Sequence, residues 1–225
     1  MAAFTCDIFI HAFFSLLALF VVRFVIVMMR IHNPNKKGPM NIRRANCKLM
    51  VVMGSGGHTY EMVQLIARLN EKYTPIVYII AETDVNSEKK VHELETFKMI
   101  VKQGEGSYLI EKIPRSRELH QSWLSSVATT LYAIIYSIPL VLKHQPDLII
   151  CNGPGTCIPI CAVAFLNSVV AIKKITIVYV ESICRVKTLS LSGRILYYFA
   201  DHFLVQWPQL FEKYPRSKYF GRLVS

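Results

Sequence analysis

The segment KLMVVM at residues 48–53 runs into GSGGH and then into TYEMVQLIARLN. An apolar run without polar alternation marks a strand covered on both faces. Beyond the glycines, Met62, Val63, Leu65, Ile66 and Leu69 recur at helical spacing. The order is therefore strand, glycine loop, helix, which a chain closes by returning to a parallel strand beside the first. A second apolar run, PIVYIIA at residues 75–81, supplies that strand.

The alternation continues to the end of the chain. It predicts a polar helix over residues 86–98, a short strand over 108–113 and a long apolar helix over 119–143. DLIICN is then a strand, NGPGT a second glycine loop, and the helix after it ends near residue 172. KITIVYVES is a strand, residues 192–201 a helix, and HFLVQW the last clear strand. Strands alternating with helices give an α/β fold, a Rossmann-like parallel sheet with helices on both faces. In such sheets ligands bind beyond the carboxyl ends of the strands, where both glycine loops fall.

Ahead of this domain, residues 8–29 (IFIHAFFSLLALFVVRFVIVMM) are long enough to cross a hydrocarbon core. Asp7 leads this run and the positive charges trail it, the reverse of a secretory signal peptide. The expected organisation is a short luminal N-terminus at 1–7, one transmembrane anchor at 8–29, a basic linker at 30–46 and a cytosolic domain at 47–225. Arg23 interrupts the span at a cost of about 2.5–3.5 kcal/mol if it sits at the bilayer centre. Residues 121–142 and 148–172 also lack charge. Either would pass for a span by hydropathy, but serines, threonines and prolines in the first and NGPGT in the second favour buried or membrane-surface helices.

The formal net charge of +11 matters through its placement. No acidic residue lies between Ile8 and Tyr60, a stretch holding Arg23, Arg30, Lys36, Lys37, Arg43, Arg44 and Lys48. A juxtamembrane basic stretch suits an anionic bilayer surface, so the charge points to membrane and not to nucleic acid. The six cysteines form no CxxC pair and no zinc spacing, and no Asn-x-Ser/Thr sequon occurs. Cys157 and Cys161, one helical turn apart, could touch a metal or simply fill the core; reduced, mostly buried thiols are the expectation.

Gly54, Ser55, Gly56, Gly57, His58 and Thr59 form the most informative loop. Glycines let backbone N–H groups and a helix dipole approach an anion closely, so phosphate or pyrophosphate is the natural guest. The same letters partly match GxGxxG, with Glu82 or Asp84 after the second strand, so a membrane-anchored NAD-dependent oxidoreductase is an alternative. Position six is Thr59 where that fingerprint wants glycine. His58 could donate to phosphate, take a proton from a hydroxyl nucleophile, or merely cap the helix. In the second loop Asn152, Gly153, Gly155 and Thr156 could hold the other side of the anion, or shape a turn. Glu181 and Arg185 follow the next strand; one could serve as base and the other as phosphate clamp, or both form surface ion pairs.

GSGGHTYEM, CNGPGTC, YVESICRV, LSLSGRILYYFADHFLVQW and YFGRLV together resemble the membrane-anchored subunit of the two-chain UDP-N-acetylglucosamine transferase of asparagine-linked glycosylation. The resemblance covers essentially all of the chain after the anchor. That family is similar to the amino-terminal half of a GT-B glycosyltransferase, as in the bacterial transferase that adds GlcNAc to the lipid-linked peptidoglycan precursor. The resemblance implies transfer of the second GlcNAc, β-1,4 linked, onto dolichyl-pyrophosphate-linked GlcNAc at the cytosolic face of the endoplasmic reticulum.

It further implies that the two loops face the acceptor pyrophosphate, with His58 nearest the reacting hydroxyl and the reaction inverting without a structural metal. No cofactor is expected on this chain. A partner subunit, the carboxy-terminal GT-B half, would hold UDP-GlcNAc and dock on Phe220, Gly221, Arg222, Leu223 and Val224. Other early glycosylation enzymes could join, and a non-catalytic membrane scaffold is the remaining alternative.

Overall fold

The unbroken apolar runs become the middle of one sheet because each strand feeds two cores. The computed structural model describes residues 2–33, 46–102, 107–117 and 121–224. Strands β1 (Leu49–Val52), β2 (Ile76–Ala81), β3 (Tyr108–Ile113), β4 (Leu148–Asn152), β5 (Thr176–Val180), β6 (His202–Val205) and β7 (Lys218–Tyr219) pair in parallel in the order β3-β2-β1-β4-β5-β6-β7. Met50 and Val52 enter one core with Val77, Ile79 and Ile149. Leu49, Val51 and Met53 enter the other with Ile76, Tyr78 and Ile80. This two-fold alternation of faces requires every residue to be apolar, each buried Val, Leu or Ile adding about 1.5–3 kcal/mol.

Helices α2 (Gly57–Ala67) and α3 (Val85–Lys102) cover one face, through Met62, Ile66, Val91 and Leu94. The other face carries α4 (Trp123–His144), α5 (Cys157–Val169), α6 (Leu191–Phe199) and α7 (Pro208–Lys213), together with the end of α1 (Ala2–Ile31). The order reverses between β1 and β4, so the loops after these two strands leave neighbouring positions at the same sheet edge.

Helix α4 connects β3 to β4, both strands of the same sheet. A crossing of the bilayer there would put the two strands on opposite sides, so α4 is a crossover, although it is long and apolar enough to span. Ala133, Ser137 and Val141 are buried beneath it, and Glu111 on β3 accepts from Lys143 Nζ at 2.8 Å while His144 Nε2 lies 2.7 Å from the same oxygen.

Helix α1 is the other candidate span, covering Asp7–Ile31. It runs past the expected boundary at residue 29, and its last two turns belong to the domain. Val27 and Ile31 are buried in the core, and the Phe24 ring meets Phe165 edge-on at 5.7 Å. Arg23 Nε and Nη2 each donate at 3.2 Å to the carbonyls of Val169 and Ser168, at the C-terminus of α5. A cation at the end of a helix satisfies orphan carbonyls and the dipole together, so the residue that looked expensive in hydrocarbon is a docking contact. Most of the expected basic linker, residues 34–45, lies outside the described residues.

Three expectations shift. The helix expected from residue 119 begins at Trp123, 118–120 lying outside the described residues, and α5 ends at Val169 instead of near 172. Short α7 and β7 follow the last anticipated strand.

Candidate functional site

Strand β1 ends at Val52 and α2 starts at Gly57, so four residues must turn the chain sharply. Gly56, just before the helix, has φ 59, which favours glycine. Buried Thr59 holds the turn: its hydroxyl donates to the carbonyl of Gly54, and Ser87 Oγ lies 2.6 Å from Thr59 Oγ1 and 2.8 Å from the same carbonyl. Thr59 therefore shapes the loop from below and does not present its hydroxyl to a ligand.

The second loop follows β4, the strand beside β1, and the two loops touch. Gly153 adopts φ 61, and the His58 ring lies so close that a Cβ on Gly153 would overlap it. Gly54 has the matching constraint, since a Cβ there would stand 2.5 Å from His58 Cβ and 3.0 Å from Pro154 Cγ. Gly153 makes room for the imidazole, and Gly54 for the His58 Cβ and for Pro154 of the second loop.

Above this junction opens a cavity of about 460 Å³. Of the residues singled out from sequence, Gly54, Ser55, His58, Gly153, Gly155, Thr156 and Arg185 line it, and α2 and α5 begin at its wall. Gly56 and Gly57 are exposed beside it without lining it. Asn152 is fully buried behind it and donates from Nδ2 to the His58 carbonyl at 3.3 Å and to Glu61 Oε2 at 3.1 Å.

Glu181 is also fully buried and is absent from the lining. Its carboxylate accepts from Ser182 N at 3.1 Å, Ser190 N at 3.0 Å and Ser190 Oγ at 3.1 Å, bracing the loop that leads into α6. Burial pushes its carboxyl up, against the pull of Ser190 and Ser182. The position is that of a brace, not of a base open to substrate.

Two residues that sequence reasoning missed face the same space: Arg115 and Arg117, from the segment between β3 and α4. With Arg185 and His58 they give the lining three guanidinium groups and an imidazole. The acidic residue there, Asp84, accepts from Ser87 N at 3.1 Å and Ser87 Oγ at 2.7 Å at the start of α3. Asp84 thus caps α3 at the cavity wall. Nothing local marks the arginines, because a basic residue in a loop acquires meaning only when the fold brings it to the wall of a cavity.

The tail expected to meet a partner is partly folded back. Gln206 Oε1 accepts from Leu223 N and Val224 N at 3.1 Å each, and the Val224 side chain is buried. Arg222 stacks over Trp207 at 4.4 Å, and Phe220 stands 70% exposed. Cys47, Cys151, Cys157 and Cys161 are free and buried, whereas Cys184 is exposed. Burial pushes the Cys157 thiol up, as expected of core thiols and not of reactive ones.

A parallel sheet with helices on both faces and two glycine loops meeting at its reversal point defines a Rossmann-like domain. Acinetobacter baumannii MurG matches with a TM-score of 0.50 at 13% identity over 72% of this chain, and this chain spans 42% of that one. At that identity the likeness speaks for the fold alone.

The family model described as "Oligosaccharide biosynthesis protein Alg14 like" matches residues 49–223. A Mus musculus protein named UDP-N-acetylglucosamine transferase subunit ALG14 is 52% identical over 83% of this chain and 88% of its own length. A Schizosaccharomyces pombe protein of the same name is 44% identical over 77% of this chain and 81% of its own. The chain belongs to the Alg14 family.

Proposed function

We propose that this chain is the membrane-anchored, acceptor-binding subunit of a UDP-N-acetylglucosamine transferase. The complex adds the second GlcNAc, in β-1,4 linkage, to GlcNAc-pyrophosphoryl-dolichol at the cytosolic face of the endoplasmic reticulum. The observation that carries the reading is the meeting of both glycine loops, two helix starts and Arg115, Arg117 and Arg185 around one cavity. Backbone N–H groups, helix dipoles and guanidinium groups all favour a diphosphate.

In the proposed reaction the acceptor 4-hydroxyl attacks C1 of the donor sugar. The O4–C1 bond forms, the C1–O bond to UDP breaks with its electron pair leaving on UDP, and His58 takes the hydroxyl proton. The donor nucleotide sits mainly on the partner subunit, which docks near the exposed Phe220 and its neighbours Gly221, Arg222 and Leu223. The backbone of the tail is already fixed by Gln206, which gives the partner a preformed edge.

The test is transfer from UDP-GlcNAc to a short prenyl-pyrophosphoryl-GlcNAc. The full chain alone should be inactive and should become active with the donor-binding subunit. Arg115→Ala should raise the acceptor KM by about tenfold or more, as expected for a lost charge-assisted phosphate contact. Robust transfer by the isolated chain, or an unchanged acceptor KM in Arg115→Ala, would defeat the proposal.

A further inference from the structure

Glu61 sits on α2 one turn beyond His58, and the structure leaves it only 5% exposed. Groups from three elements converge on its carboxylate. The Ser182 hydroxyl, just past β5, donates to Oε1 at 2.7 Å, and Asn152 Nδ2, at the end of β4, donates to Oε2 at 3.1 Å. His58 Nδ1 stands 3.9 Å from that same Oε2. Removing a carboxylate from water costs several kcal/mol unless partners compensate. Burial pushes the Glu61 carboxyl up, but His58, Ser182 and Asn152 outweigh it and hold the group below the usual carboxylate range. It is therefore a buried, ionised group held by side chains from three parts of the fold.

The other side of this contact points the same way. His58 Nδ1 is buried with no hydrogen-bond partner among the described residues, yet the side chain as a whole is 35% exposed. The ring nitrogen left for the cavity is therefore Nε2. The ring occupies the space that a Cβ on Gly153 would need, so the second loop admits the imidazole in this position only because residue 153 is glycine. A separation of 3.9 Å is longer than a hydrogen bond, but such contacts often tighten only when substrate is bound.

We propose that Glu61 is the positioning residue for His58, holding the imidazole with Nδ1–H turned inward and Nε2 turned toward the acceptor hydroxyl. When Nε2 takes the hydroxyl proton, the imidazolium that forms is stabilised by the carboxylate behind it, and Glu61 itself stays ionised. The logic is that of an acid orienting a histidine base from its far side. It rests on the reading of His58 as the base.

The experiment is a double-mutant cycle in the assembled complex of full chain and donor-binding subunit, with UDP-GlcNAc and a short prenyl-pyrophosphoryl-GlcNAc. Glu61→Gln should lower kcat by about 10²-fold with the acceptor KM nearly unchanged, and Glu61→Asp, which keeps the charge, should recover part of the loss. In a His58→Ala background Glu61→Gln should cost less than about twofold, because a residue acting through His58 has nothing left to act on. A merely structural role would lower both backgrounds alike, and that additivity would overturn the proposal, as would a Glu61→Gln enzyme within about threefold of wild type beside an inactive His58→Ala. If His58→Ala keeps its activity, the assignment of the base fails and takes the dyad with it. If Glu61→Gln yields too little folded complex, Ser182→Ala carries the same cycle: coupling to His58 supports the proposal and additivity overturns it.

Discussion

Alanine at Gly153 perturbs the site where its two loops touch, and the coordinates set the size of the effect. The residue has φ 61, where a side chain costs about 1–2 kcal/mol. Its Cβ would overlap His58 Cε1 and Nδ1 and approach Nε2 to 2.8 Å. Ordinary contact needs about another half ångström or more on every side, so the imidazole must rotate off its rotamer, adding about 0.5–1.5 kcal/mol.

The sum is about 1.5–3.5 kcal/mol of stability, and for a domain of this length it should lower Tm by roughly 3–14 °C. If His58 is the base, as proposed, moving it by about an ångström should also cost about 10²-fold in kcat. Thermal unfolding of the purified complex and initial rates at saturating acceptor read the two effects separately. A Gly153→Ala complex with wild-type Tm and wild-type kcat would refute the packing of His58 against the second loop, and with it the argument that this glycine exists to hold that ring.

Two further outcomes follow from single contacts. Arg23→Leu removes both hydrogen bonds to the end of α5 and should destabilise the detergent-solubilised chain by about 1.5–3 kcal/mol while making α1 more apolar; an unchanged Tm would contradict the docking of the helix. Burial raises the Glu181 carboxyl, so its folded pKa lies above the unfolded one and its contribution, fully present below the unfolded value, is lost as pH rises through the folded value. Glu181→Gln should therefore flatten the decline in stability measured upward from the ordinary carboxylate range, and a decline of wild-type slope would refute the assignment.

How much was legible in the sequence follows from how local each determinant is. β1, β2, β4 and β5 were readable because burial on both faces leaves an unbroken apolar run, and the two loops because a tight strand-to-helix turn demands glycine. Glu61 was not readable, since an acid on an amphipathic helix normally marks the solvent face; Ser182 and Asn152, far away in the chain, are what bury it. Glu181 misled in the opposite direction, because a polar residue at a strand end can equally brace the next loop. β7, two residues long at the sheet edge, carries too few side chains to make a pattern.

Arg23 also bears on how the domain would sit on a bilayer. If α1 is the span, the stretch free of the domain ends at residue 22, because Arg23 and Phe24 already contact α5. The 15 residues from 8 to 22 rise about 22 Å at 1.5 Å per residue, short of a hydrocarbon core of about 30 Å. The shortfall draws the docked end of α1, and whatever lies beside it, toward the headgroups. Leu124, Val127, Leu131 and Ile135 on α4 are 87%, 58%, 56% and 66% exposed at helical spacing, a stripe that water disfavours and an interface accepts. Tryptophan at Ile135 in the full chain, reconstituted in vesicles with brominated acyl chains, should be quenched. Fluorescence indifferent to bromination would mean that the domain stands clear of the surface and that the short anchor is matched by local thinning of the bilayer instead.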